Sequence, residues 1–98
     1  MKNIISDLNK AFENRVRLGI MSILMVHDDV DFNSIKETLN LTDGNLASHL
    51  KALESIEYIS MNKEFVGRKP RTSYSVTEPG KMAFKSHLNA LEKLIRGG

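Results

Sequence analysis

The chain has 98 residues, 41% of them hydrophobic and 27% charged, which suits one compact domain over residues 1–98 and is too short for two separate cores. It contains no cysteine, excluding disulfides, thiolate metal ligands and cysteine nucleophiles. The formal net charge is only +2, so nucleic acid is not excluded but placement of charge has to argue for it.

In chain order, Ile4, Ile5, Leu8 and Phe12 recur at helical spacing and predict a short amphipathic first helix. Asn14 is a cap for a second helix from Arg15 to about His27. Its Val16, Leu18, Ile20, Met21, Ile23, Leu24, Met25 and Val26 leave little polar surface, the pattern of a buried helix. Asp28-Asp29-Val30-Asp31 suits a turn, and Phe32 a strand of one or two residues. Asn33 is the expected cap of a third helix, Ser34 to Asn40, with Ile35 and Leu39 on its inner face. Thr42 caps a fourth helix from Asp43 to about Ser55, where Leu41 and Leu46 have staple spacing and Leu46, Leu50 and Leu53 form one buried stripe. From Tyr58 the period changes to two, with Ile59, Met61 and Phe65 alternating with polar residues, as in a strand with one wet face. Gly67 to Arg71 interrupts it, and Thr72 to Val76 resumes it. Thr77 then caps a last helix with Glu78 and Pro79 in its first turn, running through Leu94.

This order predicts an α+β, mainly α fold: a helix-turn-helix at about 33–56, a two-stranded hairpin wing at about 58–76, and a C-terminal helix at about 77–96. The N-terminal residues lack the apolar core and cleavage site of a secretory signal, and no apolar run reaches the roughly 18 residues of a membrane span. A cytoplasmic protein with no membrane partner is expected.

Several stretches carry a resemblance: Asn14-Arg15-Val16-Arg17-Leu18, Leu41-Thr42-Asp43-Gly44-Asn45-Leu46, Ser48-His49-Leu50, and Gly67-Arg68-Lys69-Pro70-Arg71-Thr72 followed by Thr77-Glu78-Pro79-Gly80. Over about residues 12–95 the chain resembles the small winged helix-turn-helix transcriptional regulators related to the MarR and ArsR families. The resemblance implies a DNA-binding regulator that dimerises through its terminal helices. The thiolate ligands of metal-sensing ArsR proteins have no counterpart here.

The residues support that expectation independently. With the leucines inward, a step of about 100° per residue puts Gly44, Ser48, Lys51 and Ser55 outward on the fourth helix, with Asn45, His49 and Ala52 along one flank. Thr42, Gly44, Asn45, Ser48, His49 and Lys51 are therefore the candidate major-groove residues: Gly44 admits a phosphate near the first-turn N–H groups, Asn45 suits adenine, and Ser48, His49 and Lys51 suit base edges or phosphates. Residues 66–81 carry four cations, Arg68, Lys69, Arg71 and Lys81, against Glu78 alone. Arg68, Lys69 and Arg71 around Pro70 form a basic finger suited to a minor groove or its phosphates. Ile4, Leu8 and Phe12 at one end, with Phe84, Leu88, Leu91 and Ile95 at the other, are the candidate dimer interface, which would space two recognition helices by about 34 Å, one turn of DNA.

No metal site, cofactor or catalytic residue is expected. His27, His49 and His87 lie on different segments without a second ligand nearby, and Asp28, Asp29 and Asp31 lack the glycine and terminal glutamate of a calcium loop. No nucleophile elbow or phosphate-cradling loop is present. The competing class is a winged-helix protein-interaction module in a larger assembly, which acidic or apolar wing residues would favour. No small-molecule effector is indicated.

Overall fold

The computed structural model describes residues 5–97. A 3-10 turn, Lys10–Phe12, precedes helix α1, Arg15–Val26, strand β1, Val30–Asp31, and helices α2, Phe32–Leu39, and α3, Asp43–Ser55; strands β2, Ile59–Val66, and β3, Lys69–Val76, lead into helix α4, Glu78–Ile95. Caps set most of these boundaries. Asn14 Oδ1 accepts from the N–H groups of Val16 and Arg17 at 2.9 and 3.1 Å, starting α1 where its sequence predicts. Thr42 Oγ1 accepts from Asn45 N–H at 3.2 Å, starting α3.

Two boundaries differ from expectation. Asp31, not Asn33, caps α2: its carboxylate accepts from Ser34 N–H at 3.2 Å and from the Ser34 hydroxyl at 2.6 Å, so Phe32 enters the helix and the short strand falls on Val30–Asp31. At the other end, the expected first helix reduces to Lys10–Phe12 among the described residues, and Ile4 lies outside them. Asn9 is extended, its side chain accepts from Ala11 N–H at 2.9 Å, and its own N–H donates to His87 Nδ1 at 3.0 Å. These bonds divert the backbone from a continuous helix.

One core joins all the elements. Ile20, Met21 and Leu24 of α1, Ile35 of α2, Leu46, Leu50 and Leu53 of α3, Ile59, Tyr74 and Phe84 form one buried cluster with Phe12. α1 is less enclosed than its composition suggests, since Val26 is 77% exposed at its end. The sheet has the order β1-β3-β2, all antiparallel, with Ile59 opposite Val76 at the root of the hairpin and Val66 opposite Lys69 at its tip. β1 pairs only with Ser73 and Tyr74, so beyond them the hairpin is a two-stranded ribbon. Met61 and Phe65 alternate as expected yet stay exposed, because the ribbon extends past the elements that cover Ile59.

α4 buries Gly80, Phe84, His87 and Ala90, which corrects two of the expected interface residues. Phe12 and Phe84 meet edge to face with ring centroids 5.3 Å apart, and Tyr58 and His87 flank Phe12 at 5.4 Å. Both phenylalanines are therefore buried in the core of the chain itself. Leu8 and Leu91 are half-buried, while Leu88 and Ile95 remain uncovered. At the start of α4, a Cβ on Gly80 would run into the backbone carbonyl of Tyr58, the same oxygen that accepts from Thr77 N–H. Glycine there lets the helix sit directly on the hairpin root. No helix among the described residues is long and apolar enough to cross a membrane.

Candidate nucleic-acid interface

α3 is held from beneath and open above. Leu46, Leu50 and Leu53 are at most 1% exposed, which fixes the helix's rotation and turns Gly44, Asn45, Ser48 and Lys51 to solvent. Lys36 of α2 binds the Asp43 carboxylate at 2.8 Å, tying the preceding helix to the first turn of α3. Residues 40–42 connect the two helices through Asn40, which takes a left-handed conformation at φ 53°, one that asparagine tolerates better than most residues. Thr42 uses its hydroxyl oxygen as the cap acceptor, which leaves the hydroxyl hydrogen available. A Cβ at Gly44 would meet nothing within 4 Å, so no contact inside the protein requires the missing side chain.

The hairpin closes more tightly than the run of turn-forming residues suggests. Val66 pairs with Lys69, leaving Gly67 and Arg68 as the turn, with Gly67 at φ 68°, a conformation glycine adopts freely. Lys69, Pro70 and Arg71 thus belong to β3 rather than to a loop. Pro70 is tolerated because β1 stops short of it, so no strand flanks β3 on that side.

That register separates the three wing cations. Arg68 and Lys69 are exposed and have no carboxylate partner among the described residues. Arg71, in contrast, binds the Asp29 carboxylate at 3.1 Å and the Glu64 carboxylate at 3.0 Å. These partners raise the affinity of Arg71 for its proton, Asp29 first. Arg71 therefore ties the α1–β1 connection to both wing strands, a role apart from the tip. The signal for Glu64 was its place opposite Arg71 in the hairpin, visible only once the two-residue turn is known. Asp29 comes from 42 residues away and carries no local signal.

One further residue joins the α3 surface unannounced. Arg17 of α1 donates from Nε to His49 Nδ1 at 3.1 Å. Burial first, and then the Arg17 charge, hold the His49 ring below its ordinary pKa, favouring neutral imidazole. Two arginines, Arg15 and Arg17, at the start of an otherwise apolar helix were the available cue, and the 32-residue separation of the partners hides the pairing.

Residues 16–95 match the sequence model of the winged helix DNA-binding domain family. An uncharacterized protein of Methanocaldococcus jannaschii is 36% identical over 87 residues, covering 89% of this chain and 95% of that relative. A transcriptional regulator homologue from Pyrococcus horikoshii superposes with a TM-score of 0.85 at 34% identity, covering 96% of this chain and 91% of that structure. Diamide-treated YodB from B. subtilis superposes with a TM-score of 0.78 at 22% identity, over 88% of this chain and 84% of its own, a likeness of fold alone.

Proposed function

Because the chain belongs to the winged helix DNA-binding domain family, we propose that it is a transcriptional regulator that binds double-stranded DNA sequence-specifically as a homodimer. Its likeness to the P. horikoshii regulator homologue supports the regulatory reading. α3 enters the major groove, with Asn45, Ser48, His49 and Lys51 toward base edges and phosphates, and Thr42 beside the phosphate that approaches Gly44. Arg68 and Lys69 reach the flanking phosphates or the minor groove, while Arg71 braces the wing.

The observation that carries this reading is Gly44. Gly44 is the second residue of α3, and the space its Cβ would occupy is empty. That open space admits a phosphate to the N–H groups of Asp43 and Gly44, the Asn45 N–H being taken by Thr42. The exposed Leu88 and Ile95 beside half-buried Leu91 on α4 supply the self-association surface, and two-fold pairing there sets the α3 helices about 34 Å apart.

Fluorescence anisotropy with labelled duplexes tests the assignment. If Lys51, Arg68 and Lys69 of each protomer neutralise one phosphate apiece, affinity falls about a thousandfold between about 50 and 200 mM salt. A flat salt response overturns it.

A further inference from the structure

His49 differs from the other groove-facing residues of α3 in having its ring gripped by another helix, through the 3.1 Å bond from Arg17 Nε to Nδ1. A neutral imidazole whose Nδ1 accepts a hydrogen bond carries its proton on Nε2. Nε2 has no partner among the described residues and is not sealed from solvent, so the ring has one unused N–H. Arg17 itself has no carboxylate partner among those residues.

We propose that Arg17 is a positioning residue for base readout: its Nε locks the His49 tautomer, making His49 Nε2–H a dedicated donor to the major groove. The inference rests on the DNA-binding reading above and deepens it. A dedicated donor selects acceptor edges, guanine N7 and O6 or thymine O4, and disfavours cytosine, whose amino group presents a donor of its own. Protonation would break the lock by placing a hydrogen on Nδ1, against the guanidinium, so that Nε2–H stays a donor but is no longer held in direction. Arg17, facing the ring from α1, is the charged group acting on it, and together with burial it opposes that protonation. The planar guanidinium holds its Nε–H in a fixed direction, so the ring is oriented as well as polarised.

Four variants test the lock: Arg17→Met, Arg17→Gln, His49→Ala, and Arg17→Met combined with His49→Ala. In the free protein, the His49 titration followed by NMR moves up toward the ordinary value near 6.5 in Arg17→Met; an unchanged titration overturns the lock without any DNA being present. In competition against duplexes carrying each base pair in turn, His49→Ala flattens the preference at one position. Arg17→Met lowers the preference at that same position by about five- to tenfold, and the double variant lowers it no further. Arg17→Gln, whose amide N–H stands at the reach of Nε, keeps the preference there while binding all duplexes more weakly. Uniform weakening by Arg17→Met with the preference intact, or loss of the preference in Arg17→Gln, overturns the proposal. Failure of the wild-type protein to bind any duplex overturns the functional reading and this inference with it.

Discussion

α3 and the wing share the proposed contact with DNA but are held by different forces. α3 rests on three leucines that are at most 1% exposed, whereas every residue from Ser60 to Pro70 is exposed. Packing sets the aim of the helix, and apolar contacts carry no charge for salt to screen. The wing is kept in place by ladder hydrogen bonds and by Arg71 between Asp29 and Glu64. Exposed ion pairs of this kind are weak and screened, so the wing is the adjustable half.

The severest way to break the comparison is Leu50→Ala. It removes the centre of the α3 anchor and costs about 2–5 kcal/mol of stability, measured by urea denaturation; a loss below about 1 kcal/mol would mean that packing does not position α3. Next comes Arg68→Ala with Lys69→Ala, which leaves the melting midpoint unchanged and lowers affinity for all duplexes about ten- to hundredfold, with the salt slope reduced by about two per protomer. Loss of sequence preference instead would place base reading on the wing. Asp29→Asn sharpens the contrast more gently: it frees part of the Arg71 charge and removes a nearby anion, raising affinity about two- to threefold on every duplex in anisotropy titrations. Unchanged affinity would show that Arg71 remains committed to Glu64.

The smallest effect expected is on pH. Burial and Arg17 lower the His49 pKa in the folded chain, so the unfolded chain binds a proton more readily near its ordinary value of 6.5. The His49 contribution to stability is full above that value and is lost as pH falls through the lowered folded one. Urea midpoints therefore decline slightly below about pH 6.5, and His49→Gln removes that part of the decline.

What the sequence revealed follows the range of the forces involved. α3 was legible from end to end, because the Thr42 cap and the Leu46, Leu50 and Leu53 stripe are both local signals that agree. The hairpin was legible as two strands, but its tip was not. Gly67-Arg68-Lys69-Pro70-Arg71 supports a long loop as readily as a two-residue turn, and the choice decides whether Arg71 is at the tip or inside β3. α4 was legible in extent, yet Phe84 belongs to both possible stripes. Contact with Phe12, remote in sequence, selected the one containing His87 and Ala90. The spacing of Ile5, Leu8 and Phe12 fitted a helix until the His87 ring captured the N–H of Asn9. The Arg17–His49 pair was hidden for the same reason: its members meet only after α1 and α3 have packed.

The seat of Gly80 on the Tyr58 carbonyl has a mechanical consequence. With no side chain as a cushion and the same carbonyl bonded to Thr77 N–H, α4 and the base of the ribbon meet in direct backbone contact. Eight-residue strands make an arm of about 26 Å, so a tilt of α4 by about 10° swings the ribbon's end by about 4–5 Å. A load on α4 is thereby carried out to the turn that holds Arg68.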